Sequence, residues 1–298
     1  MIGIIRIQGL SIDEEFNKIL NDHNNEYMIH SIFDKVINIK SINGEIYTIA
    51  NEFTDNAPYT LKTDFNNSFK DFIDNDSKIS IDKERIIFDN LEIRLSNTII
   101  WNSRKTEISD KHSKNIKSNI EIYNRLIRSS GKEGGCKYSY LKYFLNLDIT
   151  GNLIEKELGY RIISLYENLK LDNFETEAIN KIIGFGMGLT PSGDDFLTGF
   201  LGVISMNEST KDVFDRFKES IVTRLSLTTE VSSSMLKAAT KEKFREILND
   251  FILSFLQDNN KFFENKLEKL LDIGSSSGTD ISVGVVLGFL YLIHKSEW

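Results

Sequence analysis

The 298-residue chain carries a formal net charge of −8, with 40% hydrophobic and 27% charged residues, the balance of an ordinary globular protein long enough for two domains. That acidity argues against nucleic acid or an anionic membrane surface as a partner. A single cysteine, Cys136, allows no internal disulfide and fits a reducing cytoplasm, and with only four histidines a His/Cys zinc site is not expected.

Residues 1–10 have neither a long apolar core nor a small-residue cleavage pattern, so no secretory leader is expected there. Ser11 and Glu14 have the spacing of a capping box, opening a short helix to about Asp22. From Tyr27 to about Trp101 the pattern turns to short, β-branched, partly alternating runs at 36–40, 45–49, 79–82, 85–88 and 91–95. Asn43-Gly44 and Asp89-Asn90 fall between runs as hairpin turns. These runs predict an antiparallel β barrel or sandwich, with 64–76 a polar loop holding one helical turn. The polar stretch 101–117 reads as a linker. Beyond it the period is helical, and the spacing predicts helices over 115–129, 138–147, 153–169, 174–183, 193–206, 211–225, 231–239, 241–256, 261–271 and 278–294. The Gly131-Lys-Glu-Gly-Gly135 stretch breaks the chain between the first two. The longest apolar run, 281–293, is too short to span a bilayer. The expected fold class is α+β: a β-rich N-terminal domain over 1–110, followed by an all-α domain over 111–298.

The densest signal is Gly184-Phe-Gly-Met-Gly-Leu-Thr-Pro-Ser-Gly-Asp-Asp-Phe-Leu-Thr-Gly199, which holds five of the 18 glycines and one of the two prolines. A glycine-rich turn feeding a helix start presents free N–H groups and the positive end of the helix dipole, which together favour an anion. The order of residues is neither Gly-x-Gly-x-x-Gly nor a phosphate loop ending in Gly-Lys-Ser/Thr, so it does not indicate a dinucleotide or NTP fold. The segment has an echo. Ser192-Gly-Asp-Asp195-Phe-Leu-Thr-Gly199 aligns with Ser277-Gly-Thr-Asp280-Ile-Ser-Val-Gly284, and each copy opens an apolar helix. The aspartate and the glycine four later share one helix face, which Gly202 and Gly288 extend. Two helices packed at these glycines would bring Asp195 and Asp280 together.

A bland reading competes. Ser-x-x-acid is a common cap, and it recurs at Ser11, Ser68 and Ser209, where no function is expected. Capping leaves the glycine run and Asp194 unexplained, and a doubled carboxylate costs repulsion unless a cation or donors compensate. Thr228 and Thr229, with Ser232, Ser233 and Ser234, form a hydroxyl cluster that serves either as an N-cap or as donors to a bound anion or carboxylate.

The glycine motif resembles, almost letter for letter, the central motif of the AllH family, bacterial proteins known through a subunit of oxamate carbamoyltransferase in allantoin breakdown. Thr228-Thr229 with Ser232, Leu236 and Ala238, and Ser277-Gly278-Thr279-Asp280, resemble its weaker downstream motifs. The resemblance implies a cytoplasmic, multi-subunit transferase of purine catabolism, working on small anionic substrates. Oxamate and carbamoyl phosphate would stand on one side of the reaction, oxalurate and phosphate on the other. It assigns Gly186, Gly188, Thr190, Ser192 and Gly193 to anion binding, with Thr228, Thr229, Ser277 and Gly278 beside them. Asp194 or Asp195 would orient the amide nitrogen or act as a base, and Asp280 would complete the pocket. No cofactor is implied, and homo-oligomerisation stays open. Two other functions use the same residues. One is a non-catalytic scaffold or regulatory subunit whose glycines serve packing. The other is a hydrolase with Mg²⁺ held by Asp194, Asp195 and Asp280.

Overall fold

β-Branched side chains alternating between two faces build the N-terminal unit. Its strands are β1 (Ile5–Asp13), β2 (Tyr27–Ile32), β3 (Val36–Ser41), β4 (Ile46–Ala50), β5 (Thr60–Thr63), β6 (Ser80–Ile81), β7 (Arg85–Phe88), β8 (Leu91–Arg94) and β9 (Ile99–Trp101). The computed structural model describes residues 4–20, 26–104 and 106–298. The strands form one sheet in the order β2-β3-β4-β5-β1-β8-β7-β6, with β9 on β1, curled into a nearly closed, barrel-like form. Ile37, Ile39, Ile49, Leu61, Ile86 and Ile93 fill its interior.

Both anticipated hairpins are present. Gly44 takes φ +83° in the β3–β4 turn, and Phe88 pairs with Leu91 across the β7–β8 turn. The pairing is mixed, however, rather than wholly antiparallel: β1 runs parallel to β8 and to β9, and β4 runs parallel to β5. Tight-turn signals report only neighbouring antiparallel strands, whereas parallel pairs need longer crossovers that leave no local mark. Ser11 lies inside β1 and caps nothing. The helix that follows, α1 (Glu14–Ile19), is capped by Asp13, whose Oδ1 accepts from the N–H groups of Glu15 at 3.0 Å and Phe16 at 3.4 Å. Its expected end at Asp22 lies outside the described residues. In the polar stretch 64–76, Phe65, Phe69 and Ile73 are buried and anchor it to the core.

The chain divides into the units Met1–Ser103 and Arg104–Trp298. Residues 104–110, grouped by sequence with the β-rich part, belong to the second unit. Ile108 is buried there, and its N–H donates to Met206 O at 2.8 Å. The helices of this unit are α2 (Ser113–Ser130), α3 (Cys136–Ser139), α4 (Leu153–Lys170), α5 (Thr176–Asn180), α6 (Ser192–Ile204), α7 (Lys211–Val222), α8 (Glu230–Ala239), α9 (Glu246–Phe255), α10 (Asn260–Leu271) and α11 (Ser277–Lys295). The helix expected over 138–147 is α3 continued by a π-helical turn over Tyr140–Phe144. The one expected from 241 begins only at Glu246, since Glu242 has φ +58°.

The centre of this unit is the crossing of α6 and α11. Every residue of α6 is buried. A Cβ on Gly199 would land on the carbonyl oxygen of Ile281, and one on Gly284 on that of Phe196, so the two backbones touch with nothing between them but hydrogen. The contact is reciprocal, as the sequence echo requires. α11 as a whole is long and apolar enough to cross a membrane, unlike the shorter run visible in the sequence. Its most apolar window is 78% buried within the fold, as in a core helix.

Candidate functional site

The loop between α5 and α6 is shaped by glycines that cannot be replaced in place. Gly184 has φ +71° and lies against the carbonyl of Leu227, while Gly186 has φ +132° and lies against the N–H of Ser192. Both conformations are strained for residues with a side chain. The loop ends at Pro191, the residue preceding the first turn of α6. Gly193 N–H is used within the protein, donating to Phe185 O at 2.8 Å, and Gly278 N–H donates to Ile273 O at 3.1 Å. Both residues also occupy equivalent tight spots, Gly193 on the Ile182 carbonyl and Gly278 on that of Leu270. Their role is therefore packing, not direct anion contact. By contrast, the N–H groups of Gly186, Met187, Gly188, Leu189, Thr190 and Ser192 have no acceptor among the described residues. They belong to the loop and first residue that lead into the positive end of α6.

Asp194 and Asp195 part company one helix step apart. Asp194 Oδ1 accepts from Gly184 N–H at 2.8 Å, and its Oδ2 accepts from Ser232 Oγ at 2.6 Å and from the Thr228 hydroxyl. Burial raises its pKa, opposed by these same donors. Asp194 is thus a fastener joining the glycine loop to the entry of α8. Thr228 serves Asp194. Thr229 caps α8, accepting from Ser232 N–H at 3.1 Å, and its hydroxyl donates to Leu189 O. The threonines hold the loop in place and are not free to serve a ligand. Removing a hydrogen bond to a buried charge costs about 1.5–3 kcal/mol, so Ser232→Ala is expected to lower unfolding free energy by about that much. A urea midpoint within error of wild type would contradict the fastener.

Asp195 and Asp280 do meet. Neither is a cap partner: α6 and α11 have no side-chain capping bond. Instead the opening serines cross over, with the Ser277 hydroxyl beside Asp195 and the Ser192 hydroxyl beside Asp280. Ser277 Oγ also lies 2.9 Å from Thr190 Oγ1. Asp280 Oδ1 accepts from Cys136 N–H at 2.6 Å. Oδ2 of Asp195 and Oδ2 of Asp280 are both buried with no hydrogen-bond partner. Burial first, then the charge of Asp280, pushes the Asp195 carboxyl well above the usual range, against the pull of Ser277 and Thr190. Burial lifts Asp280 to about 6, opposed chiefly by the Cys136 amide. The Cys136 thiol, raised by burial and by Asp280, stays neutral and is no nucleophile. Its Sγ lies 3.6 Å from Ser192 O.

The loop 131–135 is a part of the site that the sequence marks only as a break. Any side chain on Gly135 would collide with the Asp280 carboxylate. Lys132 N–H donates to Thr279 Oγ1 and its Nζ to Gly274 O, both at 2.9 Å. Lys137, buried, reaches Gly131 O at 2.7 Å and Glu133 Oε1 at 2.6 Å. The paired glycines ahead of the single cysteine were the available signal. The three-aspartate Mg²⁺ site does not assemble, because both oxygens of Asp194 are turned to Gly184, Thr228 and Ser232. Among the described residues no group of three or more His, Cys, Asp or Glu is placed to hold a metal.

Two family models match. One, oxamate carbamoyltransferase subunit AllH, covers residues 182–289, and the other, the AllH family N-terminal domain, covers 8–100. The chain belongs to the AllH family. The first match takes in the glycine loop, α6, α8 and most of α11, so Asp194, Asp195 and Asp280 of this AllH-family chain all lie within it. The loop 131–135 and Cys136 lie outside both matched stretches. No solved structure matches the chain.

Proposed function

We propose that this AllH-family chain supplies the small-anion site of an oxamate carbamoyltransferase, working with other subunits of the enzyme. The observation that carries the reading is the set of uncommitted N–H groups from Gly186 to Thr190 and at Ser192, gathered at a helix N-terminus. Packing explains Gly199 and Gly284. It does not explain Gly188, which has φ +89° and open space where a side chain would go, and this counts against a purely scaffolding role. In the reaction the oxamate nitrogen attacks the carbamoyl carbon, the bond from that carbon to the phosphate oxygen breaks, and the nitrogen gives up a proton. The loop amides would hold the phosphoryl oxygens and stabilise the charge that builds as phosphate leaves. The Thr190 and Ser192 hydroxyls, turned to Asp195 and Asp280, would hold the loop in its binding shape. The chemistry needs no cofactor.

The test is the melting temperature of the purified chain with inorganic phosphate and with carbamoyl phosphate. A ligand at about a hundred times its dissociation constant adds about 2.7 kcal/mol, a shift of several degrees. Thr190→Ala and Ser192→Ala are expected to weaken binding of both ligands. Unchanged affinity removes those hydroxyls from the site, and a wild-type melt that neither ligand moves defeats the reading.

A further inference from the structure

We propose that Asp195 and Asp280 together form a subsite that reads N–H groups, so that the anion site takes a carbamoyl phosphate and discriminates against an acyl phosphate of the same shape. The inference deepens the anion-site reading above and rests on it.

Three observations converge. Each carboxylate keeps one buried oxygen, Oδ2, with no donor in the protein, and buried acceptors are rarely left so without a reason. The two aspartates come from equivalent positions on helices in direct backbone contact, so their acceptors belong to one place. The local packing is built around them: Gly135 has no room for a side chain against Asp280, and the Cys136 N–H fixes the other oxygen of that carboxylate.

A carbamoyl group ends in a planar NH₂ that offers two N–H donors. An acetyl group puts a methyl of nearly the same size in the same place and offers none. In the acetyl complex both acceptors would stay buried and unpaired, and sites built to hydrogen-bond a substrate N–H reject analogues that lack it. The arrangement also orients the ligand. The loop amides attract phosphoryl oxygens, so the phosphate end lies on residues 186–190 and the NH₂ end on the unpaired aspartate oxygens.

The experiment is titration calorimetry on the full chain with freshly prepared carbamoyl phosphate, acetyl phosphate and inorganic phosphate. Wild type is expected to bind carbamoyl phosphate at least about tenfold tighter than acetyl phosphate. Asp195→Asn and Asp280→Asn, each near-isosteric and checked for folding by circular dichroism, should erase most of that preference. Inorganic phosphate should bind both variants about as well as wild type. Equal affinities of wild type for the two acyl-type phosphates would overturn the inference and leave the anion site standing. A preference that survives in both variants would overturn the assignment to this pair. Failure of all three ligands to bind wild type would overturn the anion-site reading, and the inference with it.

Discussion

Alanine at Gly199 is expected to destabilise the chain by about 3 kcal/mol, at the upper end of over-packing effects, and alanine at Gly284 by a similar amount. The added methyl group meets a backbone carbonyl of the facing helix, Ile281 in one case and Phe196 in the other. A carbonyl within a helix cannot rotate aside, so α6 and α11 would have to separate. Separation loosens the packing of Phe196, Phe200, Val285 and Leu287, all buried along the two helices. Alanine returns up to about 1 kcal/mol through helix propensity, too little to offset the clash. Gly202→Ala is the internal control. Its methyl would meet the Ile252 Cδ1 at 2.9 Å, the far end of a flexible side chain, and a loss of about 1 kcal/mol or less is expected. Urea unfolding of the three variants gives the order. Gly199→Ala as stable as Gly202→Ala would mean that the two backbones are not in contact.

That contact was legible in the sequence because it depends on one spacing: Ser, Asp and Gly recur at the same intervals in both copies, and on a helix this places the small residue one turn beyond the acid. What each acid does was not legible. Asp194 and Asp195 are adjacent and chemically identical, yet a single helical step of about 100° sends one to Thr228 and Ser232 and the other to face α11. Only the partners distinguish them, and Thr228, Ser232, Ser277 and Asp280 all lie more than 30 residues away. For the same reason Thr228 and Thr229 read as ligand donors although their bonds close on Asp194 and Leu189. The β-rich unit divides along similar lines. Runs bounded by Asn43-Gly44 and Asp89-Asn90 gave their strands away through turn chemistry. β5 and β9, with four and three residues, carry too few alternations to register, and their parallel partners are set by crossovers. At Ser11 the local cap signal was overridden because that residue pairs with Lys62 in the sheet.

Over the range from about pH 4 to about pH 6, the chain is expected to lose stability as pH rises, and Asp280→Asn is expected to remove the Asp280 share of that loss. Asp280 has its folded pKa raised to about 6, above the ordinary carboxylate value. A carboxyl raised by folding holds its proton more tightly in the native state. Its contribution is whole below the unfolded pKa near 4, and it disappears as pH climbs through the folded value. At 1.36 kcal/mol per pKa unit, the loss amounts to about 3 kcal/mol. Asp195, pushed well above the usual range by burial and by Asp280, and Asp194, raised by burial, add to the decline. Carboxyls lowered by their partners, such as Asp34 and Asp172, act only below about pH 4, outside this window. Urea unfolding at pH 4.5 and 7.5 should therefore find Asp280→Asn close to wild type in acid and more stable than wild type at neutral pH. The same difference at both pH values would dismiss the raised carboxyl. The free energy that the native chain forgoes at neutral pH stays with two acceptors left without donors, and a ligand presenting N–H groups to them recovers it on binding. Carbamoyl phosphate should accordingly raise the melting temperature of wild type more than that of Asp280→Asn.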